Sequence, residues 1–192
     1  MTLFGTAPSP YTRRIRILLQ GHDHQFEPLS FWRSEEDLYD RFGPVAKIPL
    51  LEDGGLQIFE SRVIYKYLTE KFGGSKLDWD EENQVSVIDA MSDSLVNLFI
   101  IKSSGLDTTE DVKYFRIQRK RIVDSLDYLA KLAEQGAFTE WKYPAISLYT
   151  TLDWMRFREL WPIEHPSLLQ FLESHQSRED VNLTDPRKEE KS

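Results

Sequence analysis

An acid–hydroxyl pair, Glu60-Ser61, has the residue types and the position needed to hold a small charged ligand. The apolar residues after it recur with helical spacing, so the pair stands at the start of a predicted helix. A helix start presents unpartnered backbone N–H groups and the positive end of the helix dipole, which favours a carboxylate by about 0.3–1 kcal/mol. The alternative is that Ser61 only caps the helix and that Glu60 is only a solvated acid.

The residues before this pair predict the strands that position it. Residues 48–51 form a short apolar run, Asp53-Gly54-Gly55 is a strong hairpin signal, and residues 56–59 resume the apolar pattern. Pro49 lacks a backbone N–H group and therefore suits the start or the edge of a strand. The segment 47–61 thus predicts a backbone edge beside a helix N-terminus, which is a corner able to hold a short acidic peptide.

The wider pattern predicts a small α/β layer followed by a helical domain. Residues 2–72 read as strand, helix, strand, helix, strand, strand and helix, with the first helix starting at Pro10 and the second spanning 34–42. Beyond a polar linker, the apolar residues recur only with helical spacing, which predicts an all-helical bundle. We therefore predict domains at 1–75 and 84–183, and a disordered tail over 184–192.

The apolar stripes of the second domain are predicted core faces. They comprise the following residues: Val85, Ile88, Met91, Leu95, Leu98, Phe99, Phe115, Ile122, Val123, Leu126, Leu129, Leu132, Ile146, Tyr149, Leu152, Met155, Phe157, Leu168, Leu169, Phe171 and Leu172.

Charge and hydropathy exclude several kinds of partner. The 192 residues are 40% hydrophobic and 29% charged, with a formal net charge of −8. The dense basic groups, residues 13–16 and 119–121, are interpreted as solvated faces, so nucleic acid is not an expected partner. No apolar run approaches the length of a membrane span and no N-terminal signal region is visible, so we predict a cytoplasmic protein without a membrane partner.

Cysteine and histidine usage excludes other chemistry. The chain has no cysteine, which rules out disulfides, thiolate metal sites and a nucleophilic thiol of the protein itself. The pair His22 and His24 follows a predicted helix end at Gly21, so we interpret it as a solvated turn. No metal is therefore expected.

Four segments resemble the glutathione S-transferase family, and the resemblance extends over nearly the whole chain. In chain order they are Ser9-Pro10-Tyr11-Thr12-Arg13, Lys47-Ile48-Pro49, Glu60-Ser61, and the run that starts at Glu164-His165-Pro166. The resemblance implies a thioredoxin-like N-terminal domain that binds glutathione and an all-helical C-terminal domain that supplies much of the second-substrate pocket. It also implies a homodimer.

The same resemblance implies a role for each site residue. Ser9 stands where serine-type members place their catalytic serine. Ile48 precedes the family's cis-proline, Pro49, and is expected to hydrogen-bond the cysteinyl backbone of glutathione; Lys47 is read either as the partner of the glycyl carboxylate or as a surface lysine. Glu60-Ser61 resembles the pair that holds the γ-glutamyl group. Glutathione is then the cosubstrate, a small electrophile is the second substrate, and no metal takes part.

The chemistry implied for Ser9 is activation of the glutathione thiol. A free thiol has a pKa of about 8.5 and only the thiolate is the nucleophile. A hydroxyl that donates to the sulfur contributes roughly one pKa unit, about 1.4 kcal/mol. Two alternatives stay open: Ser9 only caps the helix, or Tyr11 is the donor, although its apolar stripe favours burial. Thr12 occupies the place of a thioredoxin-type resolving thiol, so dithiol chemistry is ruled out.

One departure from the family concerns helix stability. Ala145 takes the place of the aspartate in the family's Ser/Thr-x-x-Asp cap, so the helix beginning near Lys142 lacks a cap that is worth on the order of 1 kcal/mol. Pro144 compensates in part as a first-turn residue.

The function predicted from the sequence is a glutathione S-transferase of serine type that adds glutathione to an electrophilic small molecule. One alternative is a noncatalytic glutathione-transferase-like domain that acts in protein interaction. The other is a glutathione-dependent isomerase or dehalogenase, whose site has the same residues.

Overall fold

The computed structural model describes residues 1–29 and 35–189 and divides them between two units. The first unit contains Met1–Lys76 together with the chain from Gln176 onward, and the second contains Leu77–His175.

The first unit has the predicted order of strands and helices. Its elements are β1 (Thr2–Gly5), α1 (Pro10–Leu18), β2 (Gln25–Pro28), α2 (Glu35–Phe42), β3 (Leu50–Asp53), β4 (Leu56–Phe59) and α3 (Ser61–Phe72), with a 3-10 turn at Gly43–Val45. The predicted end of the second strand and the predicted start of the second helix, at Ser30 and Ser34, lie outside the described residues. This is a thioredoxin-like arrangement, as the sequence predicts.

The four strands form one mixed sheet in the order β2-β1-β3-β4. β1 pairs in parallel with β2, whereas β3 is antiparallel to both β1 and β4. Leu3, Leu50 and Leu51 are completely buried in it. Leu50 and Leu51 are adjacent and therefore point to opposite faces, so β3 is covered on both faces of the sheet.

A close approach of backbone and side chain fixes α1 against β1. A Cβ atom on Gly5 would lie 2.4 Å from Oγ1 and 2.6 Å from Cγ2 of Thr12. Because Thr12 is completely buried on α1, it has no room to move away. Glycine at position 5 therefore permits the helix to pack closely on the strand that precedes it.

The second unit is entirely helical. It contains α4 (Trp79–Ser103), α5 (Lys113–Glu134), α6 (Tyr143–Phe157) and α7 (Pro166–His175). Most of the predicted core residues are buried. Val123 is 43% exposed, and six others are only half-buried: Leu98, Phe99, Phe115, Leu132, Phe157 and Leu169. Val123 directly follows the buried Ile122, and adjacent helical residues point in directions about 100° apart, so only one of the two faces the core.

α4 is the one helix, within the described residues, that is long and apolar enough to cross a membrane by length and composition. Core helices pass the same test, and α4 packs against α5 and α6. Its predicted stripe, from Val85 to Leu95, is buried there. This stripe is therefore a core face of the second unit.

The C-terminal residues differ from the prediction. The sequence predicts a helical domain to residue 183 and a disordered tail over 184–192, whereas the chain from Gln176 belongs to the first unit and forms α8 (Glu179–Leu183) and α9 (Pro186–Glu189). Arg13 on α1 explains the difference: its guanidinium donates to the Val181 carbonyl at 3.2 Å and to the Thr184 hydroxyl at 3.4 Å. Residues 190–192 lie outside the described part.

The interpretation of residues 13–16 as a solvated basic face is wrong. Arg13, Arg14 and Arg16 are 3%, 0% and 8% exposed. The Arg16 guanidinium lies over the Phe26 ring, with 4.1 Å from its central carbon to the ring centroid. These arginines therefore pack on neighbouring elements with their long side chains, and aromatic faces attract their charge.

The start of α6 yields a stability prediction. Lys142 occupies the N-cap, and its side chain makes no cap hydrogen bond. The Lys142 side chain instead forms ion pairs with Glu140 at 2.8 Å and Glu81 at 3.7 Å. Ion pairs at the surface contribute little to the free energy of unfolding. We expect Lys142→Ser to raise the free energy of unfolding by about 1 kcal/mol, since serine accepts a hydrogen bond from a first-turn N–H group. Urea denaturation measures the change.

The matched control for this prediction is Lys142→Ala, which removes the ion pairs without adding a cap. Equal stabilities of Lys142→Ser and Lys142→Ala would contradict it. Adding Ala145→Asp to Lys142→Ser restores the family's cap pattern, and we expect a favourable coupling between the two changes because they meet in one turn.

Candidate functional site

Three polar segments lie at the same edge of the sheet. β1 and β4 end at this edge and β3 begins there, because β3 runs antiparallel to both. Paired residues Phe4, Leu50 and Phe59 mark the edge. Neighbouring strands are about 4.8 Å apart, so β1 and β4 lie about 10 Å apart across β3. An extended tripeptide has about the same length, at about 3.3–3.6 Å per residue.

The corner between β4 and α3 holds the acid–hydroxyl pair. α3 begins at Ser61, so the N-cap position belongs to Glu60, whose side chain makes no cap hydrogen bond. Ser61 is 4% exposed, and its hydroxyl has no hydrogen bond to another described residue. The reading of Ser61 as the helix cap thus does not fit the observed start of α3. Its hydroxyl lies in the first turn of α3, where the first backbone N–H groups have no partner within the helix.

Glu60 has a strained backbone at this corner. Its φ is 67° and its ψ is 127°, a combination that lies outside the regions open to residues with a side chain. Such a conformation costs of order 1–3 kcal/mol and persists only where the surrounding structure imposes it. The carboxylate forms an ion pair with Lys47, whose Nζ atom is 3.7 Å from Oε1 of Glu60. Both side chains of this pair are largely exposed.

The segment before β3 supplies backbone at the same edge. The peptide bond between Ile48 and Pro49 is cis. The pairing of β3 with β1 begins only at Leu50, so Ile48 lies outside the sheet ladder. Its side chain packs on the core formed by Phe4, Phe42 and Leu50. Ile48 is therefore anchored by its side chain, while its backbone lies beyond the last pair of the ladder.

Ser9 lies in the loop that leads from β1 to α1. It is the N-cap of α1, and its Oγ atom accepts a hydrogen bond from the Thr12 N–H group at 3.3 Å. Capping uses the acceptor capacity of the hydroxyl and leaves its proton for another acceptor, so capping and donation are compatible. Tyr11, the competing donor, is half-buried, and the Arg14 guanidinium lies 4.9 Å from its ring centroid.

One polar cluster, at the end of β3 opposite the site, has no counterpart in the sequence predictions. Asp53 ends β3. Its Oδ2 atom accepts a hydrogen bond from the Tyr67 hydroxyl at 2.7 Å and forms an ion pair with Lys71. The hydrogen bonds from Lys71 and Tyr67 hold the pKa of Asp53 below its ordinary value. From the sequence alone, Asp53 is predicted only as a turn residue. The one feature that could have indicated the cluster is the spacing of Tyr67 and Lys71, which lie one helical turn apart and so share a face of α3.

The histidines near the start of the chain do not form a metal site. His22 stacks on Phe72, with ring centroids 3.7 Å apart, and His24 Nδ1 lies 2.8 Å from the His22 carbonyl. In residues 1–29 and 35–189, no group of three or more histidine, aspartate or glutamate side chains is arranged to hold a metal ion.

Comparison with known proteins finds glutathione S-transferases among the proteins that are similar to this chain. Residues 3–76 match the family described as "Glutathione S-transferase, N-terminal domain". A glutathione S-transferase of Hyoscyamus muticus is 26% identical over 70% of this chain, and the match spans 63% of that protein's length. An uncharacterized GST-like protein of Escherichia coli K12, YibF, is 27% identical over 98% of this chain and 100% of its own.

Solved structures share the fold. A glutathione transferase family member from Pseudomonas fluorescens Pf-5, solved with bound glutathione, has a TM-score of 0.78 and 24% identity over 95% of this chain and 97% of its own. A glutathione S-transferase from Methylobacillus flagellatus KT, also with glutathione bound, has a TM-score of 0.80 and 18% identity over 95% and 98%. The N-terminal unit of this chain thus matches the N-terminal domain of glutathione S-transferases, and the chain as a whole shares the fold of solved glutathione transferases.

Proposed function

We propose that this protein is a glutathione transferase that activates the thiol of glutathione for addition to a small electrophile. The observation that carries the proposal is the meeting of Ser9, Lys47-Ile48-Pro49 and Glu60-Ser61 at one edge of the sheet. Glutathione is a tripeptide with two carboxylates and one ammonium group, and its extended length is close to the span of this edge.

Each group of the edge has a complementary group on the tripeptide. The Ser61 hydroxyl and the first N–H groups of α3 suit the γ-glutamyl carboxylate, because a helix start favours an anion. Glu60 suits the γ-glutamyl ammonium group. The backbone of Ile48 continues the β3 ladder toward the cysteinyl residue, in the manner of an added strand. Lys47 suits the glycyl carboxylate, since its exposed pair with Glu60 is weak enough to exchange.

Ser9 is the proposed catalytic residue. Its hydroxyl proton donates to the sulfur and stabilises the thiolate over the thiol. The same hydroxyl continues to cap α1 through Thr12, which holds it in a fixed orientation. The N-terminus of α1 adds a positive potential that favours the anionic sulfur.

The relatives support the remaining parts of this proposal. Related structures contain bound glutathione, and curated relatives are named glutathione S-transferases. On this similarity we further propose a cytoplasmic homodimer with a small electrophile as second substrate. Light scattering of the purified protein tests the dimer.

Calorimetric titration tests the binding half of the proposal. We expect glutathione to bind, and cysteinylglycine, which lacks the γ-glutamyl residue, to bind at least about tenfold more weakly, since it forfeits charge-assisted contacts to Glu60 and Ser61. Equal binding of the two ligands would place the site elsewhere. Absence of glutathione binding would overturn the proposal and favour a noncatalytic interaction domain.

The stoichiometry of glutathione separates the catalytic alternatives. Conjugation consumes one glutathione for each electrophile and yields a thioether. An isomerase returns glutathione unchanged, and a dehalogenase releases halide. Mass spectrometry of the products, with free thiol and halide measured in the same samples, therefore decides among the three reactions.

A further inference from the structure

The hairpin that precedes the site is fastened to α3 by three side chains, which we call the hairpin clamp: Asp53, Tyr67 and Lys71. Tyr67 and Lys71 lie one turn apart on α3 and both bind Oδ2 of Asp53. The Asp53 side chain is only 17% exposed. The hydrogen bonds from Lys71 and Tyr67 lower the pKa of Asp53, so the carboxylate is ionised and the clamp is intact at neutral pH.

The chain enclosed by the clamp contains the strained corner. From Asp53 it runs through the hairpin turn and β4 to Glu60, and then along α3 to Tyr67. Its two ends are joined by the Tyr67 hydroxyl at 2.7 Å, so β4 and α3 form the two arms of a closed loop. Glu60 is the point at which the arms meet. The angle between the arms is therefore held both at the corner and at the far ends.

A strained residue needs such a second constraint. The φ of 67° at Glu60 is unfavourable for any residue with a side chain. If the arms were free to move, the corner would relax toward an ordinary conformation, and the Glu60 carboxylate and the first turn of α3 would turn away from the ligand. The pairing of β3 with β4 fixes one arm. The second arm, α3, packs on α1 and on the sheet, and the clamp adds the polar connection that ties its later turns to the end of the hairpin.

We propose that the hairpin clamp positions Glu60 and Ser61 for glutathione, so that Asp53, Tyr67 and Lys71 set the affinity of the site without touching the ligand. This inference rests on the proposed function. Its residues are positioning residues: they act on the ligand only through the geometry of the corner.

The experiment compares Asp53→Ala with Glu52→Ala. Glu52 is the adjacent residue of the same strand, and its carboxylate bonds only within the hairpin, to Gln57 at 2.9 Å. Both variants therefore lose one acidic side chain of β3, but only Asp53→Ala opens the clamp. Lys71→Met and Lys71→Arg form a second pair of variants: Lys71→Met removes the cation on α3 and Lys71→Arg keeps it. This pair provides the same test if Asp53→Ala does not fold.

The first readout needs no ligand. The Ile64 N–H group bonds to the Glu60 carbonyl at 2.9 Å and so reports the corner. We expect Asp53→Ala to speed hydrogen exchange at Ile64 by about tenfold relative to Leu68 in the interior of α3, because the opening is local. Glu52→Ala should leave that ratio unchanged. An unchanged ratio in Asp53→Ala, or an equal rise at both amides, overturns the clamp.

The second readout is ligand affinity. We expect Asp53→Ala and Lys71→Met to weaken glutathione binding about tenfold, which is about 1.4 kcal/mol, while Lys71→Arg and Glu52→Ala bind like wild type. In turnover the KM for glutathione should rise with little change in kcat, since uniform binding is lost. Wild-type affinity in a variant with fast Ile64 exchange overturns the positioning role. Failure of the wild-type protein to bind glutathione overturns the proposed function, while the exchange ratio still decides whether the clamp holds the corner.

Discussion

We expect Ser61→Ala to weaken glutathione binding by about 10- to 100-fold, because a hydrogen bond to a charged group is worth about 1.5–3 kcal/mol. Ser61 is 4% exposed at the first position of α3, and its hydroxyl has no hydrogen bond to another described residue. Its removal therefore breaks no hydrogen bond within the described structure. Calorimetric titration measures the loss, and urea denaturation should show a free energy of unfolding close to that of wild type.

Glu60→Gln tests the other half of the pair, and its expected loss of affinity is similar. The neutral amide cannot balance the γ-glutamyl ammonium group, whereas the backbone conformation is unchanged. Because Glu60 and Ser61 bind the same group of the ligand, we expect the double variant to lose less affinity than the sum of the single losses.

Two controls separate charge from strain at the corner. Glu70→Gln removes the same charge from the exposed face of α3, where Glu70 pairs with Lys76 at 3.8 Å, and should bind glutathione like wild type. Glu60→Gly relieves the unfavourable φ and should raise stability, yet it should still lose binding. If Glu60→Gln and Ser61→Ala both retained wild-type affinity, the acid–hydroxyl pair would not be the γ-glutamyl site.

The parts of the fold that follow local rules were predictable. Asp53-Gly54-Gly55 specifies a hairpin because glycine accepts the positive φ that such turns need. Pro10 starts α1 because its fixed φ suits a first helical turn. Apolar spacing defined the buried stripes of the helical unit. Each of these signals lies within a few residues of the element that it determines.

The features that escaped prediction depend on contacts between distant residues. Asp53 meets Lys71 across 18 positions, and Arg13 meets Val181 across 168. Neither partner is visible in a local pattern, so Asp53 read as a turn residue and Arg13 as part of a solvated face. The conformation of Glu60 could not be predicted for a related reason. Glutamate does not indicate a positive φ in a sequence, and at Glu60 the surrounding structure imposes that φ.

Ser9→Ala should reduce kcat/KM at pH 7 by about 10- to 100-fold, since one hydrogen bond to an anionic sulfur is worth about 1.5–3 kcal/mol. A donor to the thiolate lowers the thiol pKa, so its removal raises that pKa by about 1–2 units toward the free value of about 8.5. The thiolate then forms only at higher pH. We therefore expect the defect to be largest near neutral pH and to shrink as the pH rises above 9, which pH-rate profiles and thiolate absorbance both measure.

Three further variants distinguish donation from capping. Ser9→Asp keeps an acceptor for the Thr12 N–H group and caps α1 well, but it offers no proton and repels the thiolate. We expect it to be as stable as wild type and at least as inactive as Ser9→Ala. Ser9→Thr keeps both functions and should retain most activity, while Tyr11→Phe should leave the thiol pKa unchanged because Tyr11 is not the donor. Full activity in Ser9→Asp would mean that Ser9 only caps α1, and a raised thiol pKa in Tyr11→Phe would assign the donor role to Tyr11.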